Sequence, residues 1–149
     1  MKRFLVSLAA MAFLVGASAL AQAPASNPGA DAFATVIATA SQSHWLQVSP
    51  ADAMQEIDAI EPFILDVRNQ SEWDASGHVA GATLIPVADL PNNLDKLPQD
   101  VNTPMLVYCG VGTRGLYGTL YLTLLGYTNV KNISGGFTAW AAADLPVAN

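Results

Sequence analysis

The sequence predicts an α/β fold, and two observations carry that prediction. Its strand-like runs, such as "PFILDV" and "PMLVYC", are apolar throughout rather than alternating with polar residues. Between them lie segments with helical spacing. Strands without alternation are buried on both faces, which happens when helices cover both sides of a parallel sheet.

The elements follow in order. Residues 1–21 open with Lys2 and Arg3, run apolar from Phe4 to about Leu20, and close on small residues. That is the form of a secretory leader, with cleavage after Ala21 or Ala23, and a leader without cysteine does not read as a lipoprotein signal. Residues 22–43 are rich in Ala, Ser and Pro and read as a linker with one short helix from Asp31. The remaining residues, 44–149, suffice for one modest core. "HWLQV" reads as the first strand. "SPADAMQEIDAI" reads as a helix with Ser49 as N-cap, Pro50 in its first turn, and Met54, Ile57 and Ile60 along one face. "PFILDV", "GATLIPV" and "PMLVYC" read as three buried strands. "TRGLYGTLYLTLLG" reads as a helix with Leu116, Leu120 and Leu124 at four-residue spacing, ended by Gly126. "TNVKNI" closes the set of strands and "GFTAWAAA" reads as a last short helix.

Charge narrows the function. The chain has 6 basic and 12 acidic residues, a net charge of −6. Removal of the leader leaves Arg68, Lys96, Arg114 and Lys131, for a net charge near −8. Such a surface repels nucleic acid and anionic lipid, so neither is an expected partner, and no membrane is expected once the leader is cleaved. The mature protein is expected in the periplasm or secreted. The two histidines are far apart in sequence and there is no CxxC, so no metal site is expected, and no cofactor.

One cysteine in an exported chain cannot form an internal disulfide, so its thiol calls for another reason. Cys109 stands where "MLVY" stops and the next helix has not begun, the end of a strand where open α/β sheets bind ligands. Gly110 and Gly112 allow a tight turn whose amides point inward as an anion-binding nest. The positive end of the next helix and Arg114 add to that field. The residues thus point to a thiolate in an anion cradle formed by Gly110, Val111, Gly112, Thr113 and Arg114. The competing reading, a buried and inert small hydrophobe, does not account for the glycines and the arginine behind Cys109. Cys-dependent phosphatases place five residues between cysteine and arginine, and here there are four. A loop one residue short suits a thiolate carrying one extra sulfur atom.

At this point the sequence resembles the rhodanese family of sulfurtransferases. The resemblance rests on "LDVR" with Glu72-Trp73, "GHVAGATLIP", "YCGVGTRG" and "LGYTNVKNISGGFTAW", four motifs in the expected order covering most of 44–149. It implies a rhodanese-like three-layer domain with a five-stranded parallel sheet in the order 3-2-4-5-1. That order would bring Asp66 and Arg68 near Cys109. It also implies ping-pong sulfur transfer from a small anionic donor such as thiosulfate, through a persulfide on Cys109, to cyanide or a thiol. One departure is Gly115, where the family usually has Ser or Ala; it is expected to loosen the C-terminal edge of the loop.

Several readings stay open. Arg114 faces substrate, or braces the loop against a carboxylate, or both. Arg68 binds anionic donor at the rim, or pairs with Asp66, Glu72 or Asp74. Asp66 supports the neighbouring loop, and His78 makes a structural hydrogen bond rather than acting as a base. Gly135 and Gly136 form a tight turn, Trp140 packs in the core, and Trp73 packs in the core or on the surface rather than over the edge of the site. An alternative function is a rhodanese-fold binding or redox-sensing module that meets a protein partner in the envelope. A phosphatase or arsenate reductase is a third, disfavoured by loop length.

Overall fold

A computed structural model describes residues 27–40 and 46–149. The leader, its cleavage sites and His44 lie outside the described residues. In chain order the elements are α1 (Pro28–Ala40), β1 (Gln47–Val48), α2 (Pro50–Ile60), β2 (Phe63–Asp66), α3 (Gln70–Ser76), β3 (His78–Val79) and β4 (Thr83–Leu84). Two 3-10 turns follow, then β5 (Met105–Tyr108), α4 (Thr113–Leu124), β6 (Val130–Ile133), α5 (Gly136–Ala142) and β7 (Val147–Ala148).

Five strands form one sheet in the order β1-β6-β5-β2-β4, every neighbour parallel. Counted along those five strands alone this is 3-2-4-5-1, the expected order. The β2–β5 register places Asp66 opposite Tyr108, and Val67 N donates to Tyr108 O at 2.9 Å, so "LDVR" and "VYC" end side by side.

The period of two on β5 sorts the core into layers. Met105, Val107 and Cys109 face a cluster with Leu65, Val67, Ile85, Leu90 and Leu122. Leu106 and Tyr108 face the opposite cluster, with Ala53, Ile64, Phe137 and Trp140, under α2 and α5. Both faces of the strand are buried, which is why its sequence is apolar without alternation.

The helix ends follow local chemistry. Ser49 is extended, and its Oγ accepts from Asp52 N at 3.1 Å, with Pro50 in the first turn. The buried position of α2 is Ala53, while Ile60 is 54% exposed, so the expected Met54–Ile57–Ile60 stripe turns partly to solvent. The leucine stripe of α4 is corrected in the same way. Gly115, Gly118, Thr119 and Leu122 form the buried face, and Leu124 is exposed. Small residues win there because the helix axis lies close to the sheet: a Cβ on Gly118 would already touch Val107 and Val67 at 3.3 and 3.5 Å.

The helix expected from Asp31 begins at Pro28, with Asn27 Oδ1 accepting from Ala30 N at 2.9 Å, and it lies against α4. The strand expected over "GATLIPV" is assigned only at Thr83–Leu84. Ile85 N and Val87 N still donate to Asp66 O and Val67 O, so the segment follows β2 beyond the regular ladder. Two elements go beyond the sequence reading. One is α3, where the turn after "LDVR" winds into a helix through a capping box between Asn69 and Glu72. The other is the antiparallel pair β3–β7.

Candidate active site

Cys109 follows the last residue of β5 and is 1% exposed. Gly112 N donates to its Sγ at 3.2 Å, the contact that folds the loop back over the sulfur. Gly112 sits at φ 105°, a backbone conformation open to glycine and costly for a residue with a Cβ. The first hydrogen bond at the N-terminus of α4 is Leu116 N to Gly112 O, 2.9 Å. The amides of Thr113, Arg114 and Gly115 precede it and belong to the unpaired first turn of a helix. Val111, 67% exposed, forms the outer tip of the loop.

The carbonyls of the loop are held away by a second helix. Phe137 N donates to Cys109 O at 2.7 Å, and Thr138 N to Gly110 O at 2.9 Å. This clamp needs Gly136: φ is +57°, and a Cβ there would run into Cys109 O and lie 2.9 Å from the carbon and oxygen of Gly110. The paired glycines do form the expected turn into α5, and the second also lets that turn bind the loop.

Arg114 makes a two-pronged pair with Glu72, Nη1 to Oε2 and Nη2 to Oε1, both 2.7 Å. Glu72 is held near pKa 2, below its ordinary 4.5, chiefly by the hydrogen bond from Arg114. The arginine is raised above its ordinary range, first by Glu72 and less by Cys109, whose sulfur is therefore within its field. Glu72 comes from α3, and it and Arg114 both lie over Gly110.

Arg68 is not at a rim. It is 2% exposed, and Asp66 is fully buried beside it. Nε and Nη2 reach the Asp66 carboxylate at 2.7–3.1 Å, Nη1 donates to Ser76 Oγ at 3.0 Å, and Nη2 also donates to Gly77 O at 2.6 Å. Its guanidinium carbon stands 4.0 Å from the Phe137 ring centroid and 5.7 Å from that of Tyr108. Tyr108 belongs to the cluster opposite the one that holds Cys109. Strand alternation thus sends Asp66 and Arg68 to the wrong face for binding donor at the sulfur, and the anion-binding expectation for Arg68 is corrected to a strut. Burial, then the Asp66 carboxylate, raises the Tyr108 hydroxyl well above its ordinary value. The same hydroxyl accepts from Val79 N at 2.9 Å.

Gly115 does not loosen the loop. A Cβ there would overlap Asn132 Oδ1 and fall 3.2–3.3 Å from Tyr108 Cα and Cys109 N. Glycine is what lets α4 approach the strand ends. His78 Nδ1 lies 2.9 Å from Val79 O, so that nitrogen carries the proton and donates. Trp73 and Trp140 are buried.

Sequence reasoning missed the pairing of Glu72 with Arg114 and the α5 amides that hold the loop carbonyls. Glu72 and Arg114 stand 42 positions apart, beyond any periodic signal.

Fold and loop together define the class, and the chain belongs to the rhodanese-like domain family, whose model matches residues 49–143. It is 31% identical over 90 residues to a sulfurtransferase of Allochromatium vinosum, covering 60% of this chain and 81% of that protein. It is 33% identical over 101 residues to the thiosulfate sulfurtransferase GlpE of Pseudomonas entomophila, covering 66% and 86%. A crystal structure of a rhodanese-related protein from Thermoplasma volcanium matches with a TM-score of 0.61 at 28% identity, over 68% of this chain and 96% of that one. These similarities support a rhodanese-type sulfurtransferase.

Proposed function

We propose that the protein moves a sulfane sulfur from a small anionic donor, thiosulfate or a near analogue, to cyanide or a thiol through a persulfide on Cys109. The observation that carries this reading is the Gly112 N–H directed at Cys109 Sγ within a loop whose carbonyls are tied outward by α5. The Cys109 thiolate attacks the outer sulfur of thiosulfate. The donor S–S bond breaks, sulfite leaves with the bonding pair, and a persulfide anion remains. Cyanide then takes the outer sulfur as thiocyanate and restores the thiolate. Fixed amide dipoles stabilise negative charge without reorganising, the role such groups play at oxyanion sites.

Arg114 supplies positive charge at the loop while Glu72 fixes its position and offsets part of that charge. The cradle therefore relies more on amides than on a free cation.

The test is intact mass before and after excess thiosulfate, with Cys109→Ser alongside. The expected result is a gain of one sulfur atom, absent in the variant and lost on adding cyanide. No gain by a folded protein with a titratable thiol would overturn the reading. It would favour a binding or redox-sensing envelope module instead, a reading supported by the 1% exposure of Cys109 and the occupied Arg114. Export belongs to the same proposal and rests on the leader pattern in residues 1–21. A cell-derived protein that still begins at Met1 and fractionates with cytoplasm would refute it.

A further inference from the structure

Two arginine–carboxylate pairs brace the strand ends, and they differ in how firmly they are closed. Arg68 and Asp66 are 2% and 0% exposed, and Arg68 also serves Ser76 Oγ and Gly77 O. Parting them would strand a buried charge, so that pair stays shut. Arg114 and Glu72 are each 32% exposed. Water reaches both, and a pair at that depth carries little net free energy and can exchange partners. Glu72 is not orphaned when Arg114 leaves, because Asn69 N donates to its Oε2 at 3.0 Å.

The open pair stands at the sulfur loop. Glu72 Oε1 and Arg114 Nη2 lie 3.3 and 3.4 Å from where a Cβ on Gly110 would stand, one residue beyond Cys109. Cys109 is also among the groups that raise Arg114, so the guanidinium acts within reach of the sulfur. The other cations are engaged or elsewhere. Arg68 is locked in its pair, and Lys131 Nζ is bound to Glu56 Oε1. Lys96 ends a 3-10 turn ahead of β5, whose far end carries Cys109. Among the described residues, Arg114 is thus the side-chain cation that an anionic donor meets at the loop. Its two bonds to Glu72, both 2.7 Å, form the parallel fork with which a guanidinium grips two oxygens side by side. A sulfonate offers the same two oxygens. One edge of the guanidinium cannot hold both.

We infer that Glu72 is an internal competitor of the donor: its carboxylate occupies Arg114 in the resting protein, and the sulfonate end of the donor takes its place. This inference rests on the sulfurtransferase reading above. The exchange makes and breaks no covalent bond and moves no proton, since both partners stay charged. Arg114 turns to the sulfonate while Glu72 stays on Asn69 N. When the donor S–S bond breaks, sulfite departs from the same edge and the carboxylate returns, which helps to expel the product. An anion that binds the fork less well than Glu72 does not open the pair. Glu72 is therefore a positioning residue that sets affinity for the donor through Arg114.

Steady-state sulfite release, with thiosulfate as donor and cyanide as acceptor, tests this in Glu72→Gln. Glutamine still serves as the third residue of a capping box, and the competing charge is gone. The value of kcat/KM for thiosulfate should rise about fivefold, the scale of an exposed pair, with KM carrying the change. The inhibition constant of sulfite should fall in parallel, and kcat/KM for cyanide should stay level. Asp74→Asn is the control: Asp74 is exposed on the same helix and accepts from Gln70, so its loss changes net charge equally. It should leave both kcat/KM values level. In an Arg114→Gln background, Glu72→Gln should change nothing. A Glu72 that merely braces the loop would, when removed, lower both kcat/KM values. No rise in Glu72→Gln, an equal rise in Asp74→Asn, or a rise that persists without Arg114 overturns the inference. If Glu72→Gln does not fold, Glu72→Asp, one methylene shorter, decides by a rise in the same direction or none. A parent protein that releases sulfite while its Glu72 variants show no rise loses the competitor only. One that releases none loses the sulfurtransferase reading and the competitor with it.

Discussion

A Cβ at residue 136 would test the clamp that shapes the sulfur loop, and Gly81 provides a matched control. Both residues have positive φ, +57° at Gly136 and +78° at Gly81. Around Gly81 a Cβ would meet nothing within 4 Å, whereas at Gly136 it would meet the carbonyls of Cys109 and Gly110. Placing an L-residue in the left-handed region costs about 1–2 kcal/mol, and the stiffer unfolded chain returns about 0.4–1 kcal/mol. Gly81→Ala should therefore cost about 1 kcal/mol. Gly136→Ala bears the same cost and forces apart the Phe137 N–Cys109 O and Thr138 N–Gly110 O bonds. Each is worth about 1 kcal/mol net, giving a total of roughly 3 kcal/mol. For a domain of this size that lowers Tm by on the order of 15 °C. Urea and thermal unfolding read the stability, and sulfite release per folded molecule reads the loop. Gly81→Ala should keep parental turnover while Gly136→Ala loses most of it, because its carbonyls are freed to turn toward the sulfur. Equal losses of stability and equal turnover in the two variants would refute the clamp.

Three further outcomes follow from the same geometry. Glu72 has a folded pKa of about 2 against an ordinary 4.5, so its contribution is complete above about pH 4.5 and is lost as pH falls toward 2. The shift sets an upper bound of about 3 kcal/mol, which partial exposure reduces to about 1 kcal/mol. The gap in urea midpoint between parent and Glu72→Gln should shrink by about half on going from pH 7 to pH 3, since a carboxyl held near pKa 2 stays largely ionised in the folded protein there, and a constant gap would show the pair to be idle. Helix propensity alone would have Gly115→Ala stabilise by about 1 kcal/mol, but overlap with Asn132 should make the variant 1–3 kcal/mol less stable. The sign of the midpoint shift decides. Arg68→Lys cannot serve Asp66, Ser76 and Gly77 together and should cost on the order of 3 kcal/mol with the thiosulfate KM held. Unchanged stability with a raised KM would return Arg68 to donor binding.

By itself the sequence determined the layers and the strand end at which Cys109 stands. Apolar strands without alternation require cover on both faces, and "PMLVYC" shows this directly, with every residue of β5 buried. Ser49, Pro50 and the glycines around Cys109 are local signals because capping and tight turns are decided within a few residues. The tertiary structure decided what those signals could not reach. "LDVR" says nothing about which face Arg68 takes; pairing with β5 in one register sends it to Phe137 and away from Cys109. A leucine spacing in α4 suggested the buried side, but close approach to the sheet selected the glycine side instead. Glu72 and Arg114, and Gly136 and Cys109, meet only after strands distant in sequence have paired. Contacts of that kind have no period to read along the chain. They are set by register and distance in three dimensions, and here they position the groups around the Cys109 sulfur.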